Sequence, residues 1–214
     1  MLVCQHWYAL VSQNPCLCRA VDVIMRSASY LSFACLHARE SIATLELTFQ
    51  ASKAVRILPE IDFLPQLVSK LLLPRMECKF LRHAFIAIDQ PWLKLQELTV
   101  LSKCRAPALQ SETPNVELST ERFPDLSVLC LSGIAVSWDL SLLSRLRRLE
   151  LVDCAHVGSP LTLEAFLDVL GACTNLQELR LHNFLSSIIP GRRQRRGRTV
   201  SISGLKDFRL WTVL

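Results

Sequence analysis

Apolar and polar residues recur along the chain in a nine-residue pattern. Residues 146–154 read LRRLELVDC, with leucine at the first, fourth and sixth positions and cysteine at the ninth. The segments 126–134 (LSVLCLSGI) and 176–184 (LQELRLHNF) repeat this pattern with Ile134 and Phe184 in the last position. Because apolar and polar residues alternate within each copy, the pattern predicts a short strand with one buried face.

Three further copies of the pattern are less regular. The segment 95–104 (LQELTVLSKC) places Cys104 one position late, and weaker copies stand at 42–49 (IATLELTF) and 205–213 (LKDFRLWTV). The copies start 20 to 31 residues apart, except for a gap of 53 residues after the first. Residues 50–94, which fill most of that gap, are not assigned to a repeat.

This spacing is typical of leucine-rich repeats, in which one copy cannot bury its leucine face and neighbouring copies stack with parallel strands. The segment 162–173 (TLEAFLDVLGAC) has the apolar spacing of a helix, with Thr162 as its predicted N-cap. The sequence therefore predicts an α/β fold, a short leucine-rich-repeat solenoid with parallel strands on one face and helices and loops on the other. An ordinary leucine-rich α/β or helical domain is the alternative, which the three regular copies disfavour.

The polar positions of the predicted strands form complementary pairs when the copies are stacked in register. Arg148 then faces Glu178 and Glu150 faces Arg180, an arrangement that adjacent strands favour. These polar positions are predicted to lie on the concave face of the solenoid. We expect this face to bind a partner through Arg148, Glu150, Glu178, Arg180, His182, Arg209 and Trp211. Trp211 has a second interpretation, in which it packs against a further repeat.

The net charge of +5 comes from one short run of arginines. The run lies within a basic loop at 190–199 and comprises Arg192, Arg193, Arg195, Arg196 and Arg198. Without it the chain has 19 basic and 19 acidic residues, so a broad nucleic-acid-binding surface is not expected. The run predicts a solvated loop between repeats, with a nuclear import signal or a phosphate-binding loop as alternatives.

Composition limits the remaining classes of function. A hydrophobic fraction of 50% excludes a disordered chain, and only 6 glycines disfavour a Gly-rich phosphate-binding protein. The 9 cysteines include no pair of Cys-x-x-Cys motifs. The segment MLVCQHWYALVSQNP has no basic stretch and no uninterrupted apolar core, and no stretch has the length of a membrane span, so we expect neither a signal peptide nor a membrane-spanning segment. These features favour a reducing compartment, either cytoplasm or nucleus.

No residue cluster predicts catalysis, a cofactor or a metal site. Cys16 with Cys18, and Cys35 with His37, lack the usual spacing of zinc ligands. Asp153, Cys154 and His156 are close in sequence, but we interpret the first two as the turn that follows a repeat strand. We therefore predict that the chain is not an enzyme.

The N-terminal segment 3–18 (VCQHWYALVSQNPCLC) resembles the last helix and exit of an F-box. The residues that match the family pattern V-C-x-x-W followed by x-x-x-P-x-L are Val3, Cys4, Trp7, Leu10, Pro15 and Leu17. Cys18 stands where the family usually has a tryptophan. The repeat sequences between 95 and 184 are similar to those of the F-box/leucine-rich-repeat proteins abundant in basidiomycete fungi.

The resemblance implies a substrate-recognition component of a ubiquitin ligase. Its repeat face would bind a protein target, and the matching residues of the F-box would contact the Skp adaptor of a cullin ligase. The implied organisation is a partial F-box-like helix at 1–18, an irregular repeat region at 19–94 and leucine-rich repeats at 95–214. Because Met1 falls inside the F-box and only its final third is present, we expect a fragment or an eroded family member.

Two alternatives to the ligase interpretation remain. One is a leucine-rich-repeat interaction protein without a ligase link. The other is a nuclear factor that reaches nucleic acid through the arginine run, which the neutral charge of the remaining chain disfavours.

Overall fold

The computed structural model describes a set of separate ranges, with the intervening positions left out. These ranges are residues 9–10, 13–14, 20–23, 44–49, 64–77, 80–81, 84, 86, 88–103, 115–137, 140–156, 162–184 and 200–211. The secondary-structure elements within them are β1 (Ala20–Val23), β2 (Leu45–Phe49), α1 (Leu64–Leu67), β3 (Val68–Met76), β4 (Glu97–Ser102), β5 (Asn115–Glu117), β6 (Val128–Ser132), β7 (Ala135–Ser137), α2 (Leu140–Leu143), β8 (Arg148–Val152), β9 (Ala155–His156), α3 (Leu163–Ala172), β10 (Glu178–His182) and β11 (Asp207–Trp211).

The main layer is an eight-stranded sheet with the order β1-β2-β3-β4-β6-β8-β10-β11. All of its strand pairs are parallel, and strands follow one another across the sheet in chain order. Each of the six segments predicted as a repeat copy contains one of these strands. The prediction of an α/β fold with a parallel sheet is therefore confirmed.

Strand β3 lies in the segment that the sequence pattern left unassigned. It pairs with β2 on one side and β4 on the other. The long gap between the first two repeat copies therefore contains a further strand of the sheet. Its sequence VSKLLLPRM contains three consecutive leucines and a proline, which hide the alternation of a half-buried strand. The register also shifts between Leu45 and Glu46 and between Leu73 and Met76.

The inner face of the sheet carries two continuous rows of apolar side chains, with one residue in each row from each of β3, β4, β6, β8 and β10. The first row is Leu71, Leu98, Leu129, Leu149 and Leu179, and the second is Leu73, Val100, Leu131, Leu151 and Leu181. All ten side chains are buried. Burying one leucine contributes about 1.5–3 kcal/mol, and each strand obtains that burial only when its neighbours are in place.

The strand ends repeat one backbone conformation. Gly133, Asp153 and Asn183 follow β6, β8 and β10 and have φ values of 65°, 50° and 53°. Glycine, asparagine and aspartate tolerate this left-handed conformation best. The backbone N–H of Asp153 donates to the carbonyl of His182 at 2.9 Å, and the N–H of Asn183 to the carbonyl of Trp211 at 2.8 Å. The interpretation of Asp153 as a turn residue is confirmed.

Beyond these turns the chain enters the core again and then forms a second, smaller sheet. The next residues, Ile134, Cys154 and Phe184, are all buried, in agreement with the apolar ninth position of the repeat pattern. Three short strands follow the order β5-β7-β9 and are also parallel. Ile134, Cys154 and Phe184 thus add to the core beyond the ends of β6, β8 and β10.

Helix α3 begins where the sequence predicted. The Oγ1 atom of Thr162 accepts a hydrogen bond from the backbone N–H of Ala165 at 3.1 Å, which is the N-cap interaction. Its buried residues are Phe166, Val169 and Leu170. The ring of Phe166 packs on Phe184, with centroids 5.2 Å apart, and so joins the helix to the core. Among the residues that the structure describes, no helix has both the length and the hydropathy needed to cross a bilayer.

Candidate functional site

The candidate site is the outer face of strands β8, β10 and β11, on the side of the sheet opposite the leucine rows. The register pairs Arg148 with Glu178 and Glu150 with Arg180, so the pairing predicted from the repeat alignment is confirmed. On the other side of β10, Glu178 is opposite Asp207. Since strand residues alternate between faces, these charged side chains share one surface.

Arg148 forms two ion pairs on this surface. Its Nη2 atom lies 2.8 Å from Oε2 of Glu150 on the same strand, and its Nε atom lies 3.5 Å from Oε2 of Glu178 on the next strand. The hydrogen bond with Glu150 is the main cause that raises the pKa of Arg148 above its ordinary value. A permanently charged guanidinium is thus held between two carboxylates.

Arg180 is the centre of the network because it reaches carboxylates on three strands. Its guanidinium nitrogens lie 3.6 Å from Glu150, 3.4 Å from Glu178 and 3.2 Å from Asp207. The contact with Asp207 is diagonal, since Arg180 stands opposite Arg209 in the register. Stacking the repeat copies in register predicted only the directly facing pairs. A strand register does not show how far an arginine side chain extends.

Asp207 accepts hydrogen bonds from two arginines. Nη2 of Arg180 lies 3.2 Å from its Oδ2 atom, and Nε of Arg209 lies 3.1 Å from its Oδ1 atom. Desolvation raises the pKa of Asp207, but the hydrogen bonds and the positive charges of Arg209 and Arg180 together outweigh it and hold the pKa below its usual value. The carboxylate is therefore ionised throughout the neutral range.

An aromatic pair lies on this surface at the carboxyl ends of β10 and β11. His182 and Trp211 are opposite each other in the register, and their ring centroids are 6.3 Å apart with planes tilted by 50°. The Trp211 side chain is 46% exposed. Within the ranges that the structure describes, Nδ1 of His182 is buried without a hydrogen-bond partner. An exposed indole beside arginines is a composition that concentrates binding energy at protein interfaces.

A polar groove of about 230 Å³ lies at the other end of the same face. The residues that line it stand at the starts of β2, β3, β4 and β6: Glu46, Ser69, Lys70, Gln96, Glu97, Ser127 and Val128. Nζ of Lys70 lies 2.8 Å from Oε2 of Glu97 across neighbouring strands. Sequence reasoning missed this groove because Ser69 and Lys70 belong to the unassigned segment. The alternation of negative and positive charge across Glu46, Lys70 and Glu97 becomes visible only when β3 is placed between β2 and β4.

The cysteines that the structure describes are buried and unbonded to one another. Cys130, Cys154 and Cys173 are free. Sγ of Cys154 donates to the carbonyl of Leu131 at 3.4 Å, and burial raises the pKa of Cys154 to about 11. Burial likewise raises the pKa of Cys173 to about 11. Such thiols are protonated and poorly nucleophilic at neutral pH.

Among the described ranges, no group of three or more His, Cys, Asp or Glu side chains is arranged to hold a metal ion. The pairs considered above as zinc ligands, Cys16 with Cys18 and Cys35 with His37, lie outside those ranges. The absence of an enzymatic activity stays a prediction.

Most of the F-box-like positions also lie outside the described residues, as does the whole arginine run. Leu10 is the F-box-like position that is described. It is helical and lies at the surface, and its carbonyl accepts a hydrogen bond from Nδ2 of Asn14 at 3.0 Å. The positions outside are Val3, Cys4, Trp7, Pro15 and Leu17, together with Arg192, Arg193, Arg195, Arg196 and Arg198.

Comparison of the chain with protein-family models, with curated proteins and with solved structures finds no match in any of the three. The functional interpretation therefore depends on the outer face of the sheet and on the sequence patterns themselves.

Proposed function

We propose that the chain is a non-enzymatic protein-recognition scaffold built as a leucine-rich-repeat solenoid. By its resemblance to the F-box/leucine-rich-repeat family, it is the substrate-binding part of a ubiquitin-ligase component. The outer face of β8, β10 and β11 binds the target protein, and catalysis belongs to the other subunits of the ligase. The observation that carries this proposal is the ordered network around Arg180.

The network favours binding because its side chains are already fixed in place. Arg180 contacts carboxylates of three strands and keeps about a quarter of its side chain exposed, 25% by area. A side chain that is ordered before binding loses less conformational entropy when a partner docks. Trp211 and Arg209 stand at the margin of the same surface with about half of each side chain exposed, at 46% and 50%.

The charge balance of the surface favours a protein target over nucleic acid. Each arginine of the network already contacts a carboxylate, as does Lys70 in the polar groove. A phosphate backbone is bound through cations that are free to replace its counterions. A surface of interleaved charges instead matches a protein surface whose charges alternate with the opposite sign.

The ligase link is tested by binding of the purified chain to the Skp adaptor. We expect retention of the adaptor, and a loss of at least about tenfold in affinity for the Trp7→Ala variant, which removes an aromatic anchor of the F-box-like pattern. Glu164→Ala on helix α3 is the matched control and leaves the affinity unchanged. Failure of the unmodified chain to bind would remove the ligase link and leave an interaction scaffold.

The recognition role is tested by comparing captured proteins between variants. The double variant Arg209→Ala with Trp211→Ala removes the exposed margin of the outer face, whereas Glu164→Ala changes the opposite side of the molecule. We expect at least one protein that the unmodified chain and the control retain and that the double variant loses. Retention of the same proteins by all three chains would contradict a binding role for the outer face.

A further inference from the structure

The polar groove lies in the interior of the main sheet. Its lining residues belong to β2, β3, β4 and β6 or directly precede them, and β1 and β8 continue the sheet on either side. The groove therefore does not depend on either edge of the sheet. Its volume of about 230 Å³ is smaller than the about 300–1,000 Å³ of pockets that enclose a whole small-molecule ligand. A groove of this size suits a single side chain of a partner.

A row of charges crosses the groove near the starts of the strands. The register places Lys70 between Glu46 of β2 and Glu97 of β4. Nζ of Lys70 lies 2.8 Å from Oε2 of Glu97. On its other side Glu97 is opposite Val128 of β6, whose side chain carries no charge. Two carboxylates and one ammonium leave the groove with a net negative charge.

Glu97 has fewer cationic neighbours than the carboxylates of the Arg180 network. Glu150, for example, contacts both Arg148 and Arg180. Within the described ranges, Glu97 forms an ion pair with Lys70 and with no second cation. A carboxylate has about four lone-pair positions for hydrogen-bond donors, so Glu97 keeps the capacity to accept from a second cation. The space over its uncharged neighbour on β6 is where that cation fits.

The hydroxyl groups of the groove also act as acceptors. Oγ of Ser69 donates to the carbonyl of Leu45 at 3.3 Å, and Oγ of Ser127 donates to the carbonyl of Gln96 at 3.2 Å. Because a hydroxyl has one hydrogen, these contacts use the hydrogens and leave lone pairs. The side-chain donors that line the groove are the ammonium of Lys70 and the amide of Gln96. A ligand that supplies donors and positive charge therefore fits the groove better than an anion.

We propose that the polar groove binds an arginine side chain of the target protein, whose guanidinium lies over Val128 and donates to Glu97. This inference rests on the proposed role in protein recognition and names the residue type that the target contributes. A guanidinium has five N–H donors, no acceptor and a permanent charge, and its planar fork gives a carboxylate two parallel hydrogen bonds. Its alkyl stem packs on Val128. A lysine ammonium is a compact, strongly hydrated charge without this fork, so it fits less well.

The cations near the groove affect the proposed ligand differently. Arg148 stands opposite Val128 on β8, which lies on the side of β6 away from β4. Its guanidinium contacts Glu150 and Glu178, so its charge is balanced by two carboxylates. Lys70, in contrast, already pairs with the carboxylate that the ligand uses. Removing the Lys70 ammonium should therefore strengthen binding of an arginine side chain.

The test is titration of the isotope-labelled full chain with the peptide acetyl-Gly-Arg-Gly-amide at low salt, followed by two-dimensional NMR. We expect saturable shifts of the backbone amides of Lys70, Glu97 and Val128, with millimolar affinity. A matched peptide with citrulline in place of arginine keeps the shape without the charge, and should bind at least about tenfold more weakly. Peptides with lysine or glutamate in place of arginine should also bind more weakly than the arginine peptide.

Two variants should change the affinity for the arginine peptide in opposite directions. Glu97→Gln removes the charge that holds the guanidinium and should weaken binding by at least about tenfold. Lys70→Met removes the competing cation and should strengthen binding by about threefold. Glu164→Gln on helix α3 is the control and should leave the affinity unchanged. If Glu97→Gln fails to fold, the comparison of arginine with citrulline on the unmodified chain decides the question.

Three results would overturn the arginine site. The first is equal affinity for the arginine and citrulline peptides, and the second is weaker binding of the arginine peptide by Lys70→Met. The third is preferred binding of the glutamate peptide, which would make the groove an anion site at Lys70. Capture of a target protein without a shift by the arginine peptide overturns this site alone. A shift without any captured protein overturns the recognition role and leaves the groove as a guanidinium site.

Discussion

Two leucines at the same level of the sheet allow the packing to be tested with a single type of substitution. Leu151 on β8 and Leu210 on β11 lie in the same inner row, separated only by Leu181 on β10. Leu151 is 0% exposed, whereas Leu210 is 44% exposed. Replacing each with alanine removes the same atoms from two environments that differ chiefly in burial.

The expected costs follow from that difference. Leu151→Ala loses the transfer free energy of a fully buried side chain and leaves a cavity between two strands, which together cost about 3–4 kcal/mol. Leu210 buries only part of its side chain and leaves no enclosed cavity, so Leu210→Ala should cost about 1 kcal/mol. A difference of about 2 kcal/mol or more between the two variants is the quantity to be measured.

The assay is urea denaturation followed by circular dichroism, at a concentration at which the chain is monomeric. The free energy of unfolding and its dependence on urea are obtained for the unmodified chain and for both variants. Equal costs of about 3–4 kcal/mol would show that the inner face of β11 is covered in the folded chain. A cost below about 1 kcal/mol for Leu151→Ala would refute the stacked leucine rows as the core.

Three further predictions concern the N-cap of α3, the buried thiols and the carboxylate of Asp207. Thr162→Ala should lower the free energy of unfolding by about 1 kcal/mol because the N-cap of α3 is lost, whereas Thr162→Ser should retain most of it in the same denaturation assay. Burial raises the pKa of Cys154 and Cys173 from 9.0 to about 11, so the unfolded chain releases these protons first and stability should fall as pH rises through this interval. The loss is about 2–3 kcal/mol per thiol, and Cys154→Ala should reduce the slope of stability against pH there. Asp207 has a lowered pKa, so its stabilising effect is present above the ordinary value of 3.8 and is lost as pH falls through its value in the folded chain. Asp207→Asn should therefore make unfolding less dependent on pH in acid, and an unchanged acid profile would contradict the contacts with Arg180 and Arg209.

The repeat pattern predicted the strands that contain a regular alternation of leucines. In LRRLELVDC and LQELRLHNF the leucines fix both the strand and the face that is buried. The register follows because equivalent positions of stacked copies lie side by side, which places Arg148 opposite Glu178. The turn residues were also predictable, because Gly133, Asp153 and Asn183 are types that adopt positive φ.

The pattern failed where leucine occurs on both faces of a strand. In β3 the run Leu71, Leu72 and Leu73 gives no alternation, and the register shifts at its margins. The polar groove was missed for the same reason. The diagonal contact of Arg180 with Asp207 depends on side-chain length and rotamer, which a strand register does not specify. Sequence also gave no sign that Phe208 would be exposed, since its position in the pattern is a core position.

We propose that a target protein docks on the outer face of β8, β10 and β11. The most direct test is photo-cross-linking with benzoylphenylalanine in place of Trp211 on that face, and in place of Glu164 on α3 as a control. We expect a discrete adduct with a different polypeptide from the Trp211 position and none from the Glu164 position. Adducts from the Glu164 position alone, or only with another copy of this chain, would contradict the proposal.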